Sequence, residues 1–308
     1  MSNHTEGESQ RVFHVLCSIG STADISYQLT GLVIFNVFLA FIATAGNTVI
    51  LVALNKVSSL HPQSKLLFRN LAVTDLCVGV IAQHLYIVNL ILLLTENWKI
   101  CRYAVVASFA VGSILGAVSL PTLTLISVDR LLALLLRLKY KQVVTLRRTK
   151  VLVCIIWVSA PVCGATQYFL SYIIALQGAI ISLLLTMSIV SYTWIFFALR
   201  HHQSQVQNVF QQGRPSQTIP LNIARCRKAV SSAVWVQLVL VACYLPYGIV
   251  VALWAYTGLL SVDFLVVYCP ITLVYLNSSL NPFIYCWKIK ELRQVVKQTI
   301  REFFSTSS

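Results

Sequence analysis

The sequence predicts an all-α membrane protein: a seven-transmembrane helix bundle followed by a C-terminal amphipathic helix on the inner leaflet. Of the 308 residues, 57% are hydrophobic and 10% are charged, whereas soluble domains usually carry about 25% charged residues. Seven long apolar runs follow one another along the chain. Most of the charge is basic, and its distribution favours one orientation in the bilayer.

Each apolar run is long enough to cross a bilayer, which takes about 20 residues of α-helix. The runs are continuous, so the short alternating segments of a transmembrane barrel are excluded as spanning elements. The fourth and fifth runs form one uncharged block that is too long for a single helix, and we expect a junction near Gln177–Gly178. The seven runs are Tyr27–Leu54, Leu66–Leu94, Ala104–Leu136, Val151–Tyr172, Ile173–Leu199, Ala229–Tyr256 and Phe264–Trp287.

The basic residues predict that the N-terminus is extracellular and the C-terminus cytoplasmic. In that orientation only Arg11, Lys99 and Arg102, of 23 Lys and Arg residues, lie outside. This is the distribution of the positive-inside rule, which predicts the orientation of a multi-pass protein; we expect that protein in the plasma membrane. The net charge of +14 therefore reflects topology and an affinity for anionic membrane lipid, with no nucleic acid as partner.

Three segments are expected: an extracellular segment 1–26, the helix bundle 27–287, and a cytoplasmic helix with a short tail, 288–308. No removable signal peptide is expected, because no basic segment followed by a short apolar stretch and a cleavage site opens the chain. Asn3 begins a glycosylation sequon on the predicted outer side. After Trp287, apolar residues at helical spacing alternate with basic ones, which favours an amphipathic helix over a solvated tail.

One acidic residue lies deep in the predicted membrane region. Asp75 occupies the middle of the second run, in "NLAVTDLCVGV", and no Lys or Arg lies at comparable depth in another run. Ionisable groups inside a bilayer are rare and usually face the bundle interior. The carboxyl group must therefore be protonated, hydrated or bound to a cation.

The seventh run contains "LNSSLNPFIYCWK", an unusually polar stretch for a membrane span. Asn277 and Asn281 are four residues apart, so they share a helix face, and Tyr285 continues that face. Pro282 permits a kink there. Together with Asn47 and Ser119, at similar depths, these residues predict a small polar core; hydrogen bonding between helices alone is the alternative.

Two further features concern the cytoplasmic side and the sixth run. Asp129 and Arg130 close the third run, where the arginine can pair with its neighbour or be released towards an intracellular partner. An interfacial arginine is also ordinary under the positive-inside rule. Pro246, in "CYLPYG", predicts a hinge in the sixth run, although proline kinks are also passive features of membrane helices.

These residues resemble the motifs of the rhodopsin-like G-protein-coupled receptors over nearly the whole chain, from about residue 36 to residue 301. The matching motifs lie on six different runs, in the order of the family. They are Gly46-Asn47, the "NLAVTD" that ends in Asp75, Asp129-Arg130, Trp157, Pro246, and the "NPFIY" from Asn281 to Tyr285.

The resemblance implies a receptor that binds an extracellular ligand and activates a heterotrimeric G protein. It implies a sodium and water site formed by Asp75, Ser119, Asn277, Ser278 and Asn281, with sodium as an allosteric ion and no other cofactor. Arg130 is then the residue that engages the G protein, and Tyr285 its switching partner. No nucleophile and base pair or metal-ligand cluster is evident, so no enzymatic activity is expected.

The chain departs from the family pattern at several positions. Leu131 replaces the usual tyrosine after the Asp-Arg pair, Tyr244 replaces the usual tryptophan above Pro246, and the fifth run lacks proline. No acid precedes Arg227 at the start of the sixth run, so a salt bridge closing over Arg130 has no evident partner. We therefore expect appreciable basal activity.

The cysteines on the predicted outer side depart from the family as well. The family joins the head of the third helix to the second extracellular loop, but here that loop is very short and lacks cysteine. A Cys17–Cys269 bridge, a Cys17–Cys101 bridge and three free thiols remain open. The short loop and the proline-free fifth run resemble the melanocortin and adenosine receptors and related lipid or nucleoside receptors.

The resemblance also restricts the ligand. A glycine, Gly112, occupies the position of the amine-binding aspartate of monoamine receptors, and no lysine precedes Lys288 in the seventh run, so monoamines and retinal are disfavoured. The expected pocket residues are Gly112, Ser113, Gly116, Tyr244, Tyr247 and Tyr275. Small uncharged, lipidic or peptide ligands remain open. A transporter or channel is the rival interpretation, but an odd number of spans and a single deep acid argue against it.

Overall fold

The computed structural model describes residues 17, 25–58, 60–136, 139–166, 171–211, 235, 238–253, 264–288 and 290–305. Asn3 lies outside these residues. Within them the chain is helical and contains no strand, which confirms the predicted all-α class. The bundle helices are Ser26–Lys56, Pro62–Leu94, Trp98–Leu136, Leu146–Thr166, Ser171–Gln211, Leu238–Leu253 and Phe264–Lys288.

Several of these helices can cross a membrane by length and composition alone. Among the described residues four meet both criteria: Ser26–Lys56, Pro62–Leu94, Trp98–Leu136 and the segment Leu176–Ala198. The described part of the sixth helix, Leu238–Leu253, is apolar but shorter. Bilayer thickness sets this length requirement, since each residue of an α-helix advances the chain by about 1.5 Å.

The expected junction at Gln177–Gly178 is wrong. The fifth helix begins at Ser171 and continues through both residues, and the fourth helix is described as far as Thr166. Gln177 lies within hydrogen-bonding range of the Tyr247 phenol. A Cβ atom at Gly178 would lie 3.4 Å from Val251 Cγ1. The polar residue and the glycine therefore serve contacts with the sixth helix, not a turn.

The third helix is central to the bundle and packs against the second, fourth and fifth helices. The first helix packs along the seventh at close range: a Cβ atom at Gly46 would lie 2.9 Å from Pro282 Cγ, so only glycine permits this approach. In the described residues the two larger apolar clusters of the core lie around Leu71 and Leu120, in the half predicted to be cytoplasmic, and around Tyr86, in the half predicted to be outer; a small third cluster contains Tyr192 and Ile195.

The second helix contains a π-helical turn, Val78–Ala82, which the sequence did not predict. The turn lies between Asp75 and Tyr86, both of which are buried in the bundle. Such turns are rare and frequently occur at functional sites.

A separate amphipathic helix, Lys290–Ser305, follows the seventh helix and confirms the predicted terminal helix. Leu292 and Val296 on its apolar face are buried in the cytoplasmic core cluster. At its far end Lys56 Nζ lies 2.8 Å from Glu302 Oε2, and the hydrogen bond from Lys56 lowers the pKa of Glu302. The helix is thereby docked against the cytoplasmic end of the first helix.

Candidate functional site

A polar layer surrounds Asp75 at the middle of the bundle. The Asp75 side chain is fully buried, and Asn281 Nδ2 donates a hydrogen bond of 2.7 Å to its Oδ2 atom. The hydroxyls of Ser119 and Ser278 also lie close to the carboxyl group. Its Oδ1 atom nevertheless accepts no well-formed hydrogen bond from any residue that the structure describes.

The neighbouring polar residues tie the first helix to the seventh. Asn47 Nδ2 donates to the Ala43 carbonyl oxygen at 2.8 Å and to the Ser278 carbonyl oxygen at 3.1 Å. Asn277 and Asn281 line a small cavity of about 20 Å³ together with Tyr285, and this volume holds roughly one water molecule. The polar residues singled out in the sequence therefore come together in one layer.

The donor atoms of this layer fit a hard monovalent cation. Hard cations prefer oxygen ligands, and the Asp75 carboxyl group, Ser119 and Ser278 supply oxygens that lie close together. A cation held here would contact the Asp75 Oδ1 atom, which accepts no well-formed hydrogen bond within the described residues. In the described part of the chain no three His, Cys, Asp or Glu residues form a group that could hold a transition metal.

Asp129, at the cytoplasmic end of the third helix, is bound mainly to residues other than its neighbour Arg130. Ser64 Oγ donates to Asp129 Oδ2 at 2.8 Å, and the Tyr140 phenol donates to Oδ1 at 2.5 Å. Arg130 Nε lies 3.9 Å from Asp129 Oδ2, which is too long for a hydrogen bond. The carboxyl group thus joins the second helix, the third helix and the short loop helix Tyr140–Val143.

Arg130 and Tyr285 both contact Phe68, a residue for which the sequence predicted no role. The Arg130 guanidinium carbon lies 5.3 Å from the centre of the Phe68 ring, within the range of a cation–π contact. The Tyr285 ring meets Phe68 edge-on at 5.1 Å. Ser64 and Phe68 precede Asp75 by eleven and seven residues, so helical periodicity from Asp75 could have placed them on its face; no comparable signal marked Tyr140.

A large cavity occupies the outer half of the bundle, with a volume of about 510 Å³. All six expected pocket residues line it: Gly112, Ser113, Gly116, Tyr244, Tyr247 and Tyr275. Tyr86, Ser108 and residues of the fourth and fifth helices complete the wall. Within the described residues every lining side chain is uncharged.

Small residues of the third helix create much of this space. A Cβ atom at Gly116 would meet no other atom within 4 Å, and one at Gly112 would lie 3.0 Å from the Tyr275 phenol oxygen. Gly116 therefore leaves part of the cavity unfilled, whereas Gly112 allows the Tyr275 phenol to approach the third helix closely.

The outer cavity and the polar layer meet at Tyr244. Tyr244 lines the cavity and is only 4% exposed. Its phenol lies near the Ser119 hydroxyl, which also lies near Asp75 and forms no close hydrogen bond within the described residues. A change in the shape of the cavity can thus reach the Asp75 carboxyl group through two side chains.

The remaining expected residues take the following places. Cys17 and Cys101 form a disulfide at the head of the third helix, while Cys269 is free. Pro246 lies within the continuous helix Leu238–Leu253. Trp157 donates to Asn70 Oδ1 at 2.7 Å and so joins the fourth helix to the second.

Comparisons with known proteins agree with this architecture. Residues 46–174 and 162–285 match the family described as 7 transmembrane receptor (rhodopsin family). Adenosine receptor A3 of Ovis aries is 24% identical over 302 residues, which cover 90% of this chain and 91% of the relative. Adenosine receptor A2a of Homo sapiens is 24% identical over 320 residues, covering 92% and 73%. Melanocortin receptor 5 of Ovis aries is 24% identical over 200 residues, covering 59% and 56%.

Proposed function

We propose that this chain, which belongs to the rhodopsin family of seven-transmembrane receptors, recognises an uncharged and largely apolar ligand in its outer cavity. It is a G-protein-coupled receptor of a non-enzymatic family, and nothing in the fold or the comparisons favours a transporter or channel. The observation that carries this proposal is that Tyr244 lines the outer cavity and also lies beside Ser119 of the polar layer, so a ligand in the cavity can act on that layer.

The chemistry of the cavity wall supports this ligand class. Its volume falls in the range of about 300–1,000 Å³ usual for small-molecule sites. A charged ligand would lose its hydration without meeting an opposite charge among the described lining residues. The relatives named for adenosine and melanocortin leave a nucleoside and a peptide as rivals. The apolar wall favours a less polar molecule whose few hydrogen-bonding groups meet Tyr247 and Gln177.

Signalling in this proposal is a shift between two packings of the bundle. A sodium ion held by Asp75, Ser119 and Ser278 favours one packing. A ligand that displaces Tyr244 disturbs Ser119 and favours the other. The sodium ion and the ligand each shift the equilibrium only if they bind the two packings with different affinity. Each must then change the affinity of the receptor for the other by the same factor.

The cytoplasmic end supplies the contact with the G protein. We place Arg130 at this contact: its side chain is 30% exposed, and it rests on Phe68 instead of forming a close ion pair. Tyr285 contacts the same ring, so a movement of the seventh helix would alter the support of Arg130. Because the only acid near Arg130 in the described region lies 3.9 Å away, we expect basal activity.

The proposed location is the plasma membrane, with the N-terminus extracellular and the G protein on the cytoplasmic side. The charge distribution described above supports this orientation. The basic terminal helix would then lie against anionic inner-leaflet lipid.

G-protein dissociation sensors for the main G-protein classes test the proposal in cells. We expect ligand-free activity of the native receptor to fall almost to background in Arg130→Ala at equal surface expression. Arg102→Ala removes the same charge on the opposite side and should leave activity unchanged. Native activity that persists in Arg130→Ala would contradict the role of Arg130, and silence of the native receptor at high expression would contradict the expected basal activity.

A further inference from the structure

The outer cavity has one wall that also faces away from the bundle. Val162, Leu176 and Ile180 line the cavity and are exposed by 61%, 56% and 42%. On the opposite wall Tyr86 and Tyr275 also line the cavity but are at most 5% exposed. The cavity is therefore enclosed towards the second and seventh helices and open between the fourth and fifth.

The packing of the helices explains this opening. The fourth and fifth helices each pack closely against the third, but they are not among the closely packed helix pairs of the described chain. The cavity also widens at the third helix, where Gly116 has no side chain to fill the space. We call the gap bordered by Val162, Leu176 and Ile180 the lateral cleft.

The lateral cleft opens into the outer part of the membrane. Val162 lies four residues before the described end of the fourth helix at Thr166, and Leu176 five residues after the fifth helix begins at Ser171. At about 1.5 Å per residue these positions lie within roughly 8 Å of the outer helix ends. Apolar side chains exposed at that depth contact lipid, not water.

We propose that the lateral cleft is a portal through which a neutral, membrane-partitioned lipid enters the cavity from the outer leaflet. The inference rests on the proposed receptor function and specifies the source and class of its ligand. The apolar wall takes the hydrocarbon part of the molecule. Its hydroxyl, ester or amide group meets Gln177 and Tyr247, which lie within hydrogen-bonding range of each other.

A photoactivatable probe tests the portal without knowledge of the natural ligand. The full chain is reconstituted in phosphatidylcholine vesicles that contain a long-chain fatty alcohol bearing a diazirine. After illumination, mass spectrometry locates the probe on the peptide that carries Gly112 and Gly116. We compare the native protein with Val162→Trp, which fills the cleft, and Val158→Trp. Val158 lies one turn away on the same helix, is 73% exposed and does not line the cavity.

The native protein should be labelled inside the cavity, Val162→Trp should lose labelling several-fold, and Val158→Trp should match the native protein. Gly116→Leu, which fills the cavity itself, should also lose the labelling. Equal labelling of the native protein and Val162→Trp, labelling that survives Gly116→Leu, or an unlabelled native cavity would each overturn the portal.

The G-protein assay on the same variants separates this proposal from the proposed function. If the labelling pattern is as expected but no variant, including the native protein, activates a G protein, the portal stands and the signalling proposal fails. If the native protein signals but Val162→Trp is labelled normally, the receptor stands and the portal fails.

Discussion

Among the residues that the structure describes, two carboxyl groups are buried in the bundle, Asp75 and Asp129, and their surroundings differ. Asp75 is fully buried at the middle of the bundle, and in the described residues only Asn281 forms a well-formed hydrogen bond to it, at Oδ2, although the Ser119 and Ser278 hydroxyls also lie near the carboxyl group. Asp129 is 4% exposed at the cytoplasmic end, and both of its oxygens accept hydrogen bonds, from Ser64 and Tyr140. The deeper group thus has fewer close partners than the shallower one.

The number of occupied carboxylate oxygens separates a group that can bind a ligand from a group that stabilises the fold. Burying a carboxylate with one oxygen that accepts no hydrogen bond costs free energy, unless a proton, a water molecule or a cation binds that oxygen. A carboxylate whose oxygens are both occupied has no such requirement. Asp75 therefore suits a binding role, whereas Asp129 fixes the short loop helix to the second and third helices beside Arg130.

The largest effect is expected when Asp75 loses its one close donor. Asn281→Leu should lower the stability of the receptor by about 1–3 kcal/mol, because a buried acceptor is left without its partner. The midpoint of thermal inactivation in detergent, followed by loss of monomeric receptor on size exclusion, measures this. Phe283→Leu is the control, since Phe283 lies on the same helix and is 60% exposed.

A double variant makes this first prediction sharper. Replacing both partners of a buried hydrogen bond by apolar groups is far less costly than replacing one. The Asp75→Leu/Asn281→Leu double variant should therefore be more stable than Asn281→Leu alone. A double variant that is less stable than the single one would show that Asp75 does not depend on Asn281.

The next effect concerns the cation and should distinguish the two carboxyl groups. Sodium at about ten times its dissociation constant should stabilise the native receptor by about 1.4 kcal/mol through binding to the folded state. Asp75→Asn should abolish the shift in inactivation midpoint, while Asp129→Asn should retain it. Choline at equal ionic strength controls for screening; a sodium shift that survives in Asp75→Asn would remove the reason for placing the ion there.

Sequence alone predicts those parts of the molecule that contain a residue type rarely found in a membrane span. An acid or an amide in a membrane span is unusual, so Asp75, Asn277 and Asn281 stood out and the polar layer could be anticipated. Five of the seven apolar runs lie within described helices, because a bilayer demands long apolar segments; the fourth and sixth runs extend beyond the described part of their helices. Gln177 was misread as a junction because a polar residue that contacts another helix looks like a turn when only the local sequence is known.

Other features depend on distances between helices, which local sequence does not contain. Phe68 is an ordinary apolar residue for a membrane helix, and only its contacts with Arg130 and Tyr285 give it a role. Tyr140 lies in a loop that is eleven residues from Asp129, so its hydrogen bond could not be read from helical spacing. The lateral cleft arises because the fourth and fifth helices do not pack closely against each other in the described residues, and no residue type in the sequence marks that absence of contact.

The smallest effect is expected at Asp129, where one donor can be lost while the other remains. Tyr140→Phe should lower stability by about 0.5–1.5 kcal/mol, the usual net contribution of a single hydrogen bond. Burial, reinforced by the hydrogen bond to Asp129, raises the pKa of the Tyr140 phenol above its ordinary 10.0. A raised folded-state pKa means that this contribution is fully present below the unfolded-state pKa and is lost as the pH rises through the folded-state pKa.

The difference in inactivation midpoint between the native receptor and Tyr140→Phe should accordingly stay constant from neutral pH to just below 10.0 and shrink only above it. Ser64→Ala, which removes the other donor to Asp129, should show a loss of similar size without the alkaline change, because a serine hydroxyl does not titrate in this range. If the difference in inactivation midpoint already declines near neutral pH, Tyr140 is not the donor. Asp129 would then have one oxygen without a hydrogen bond, as Asp75 has.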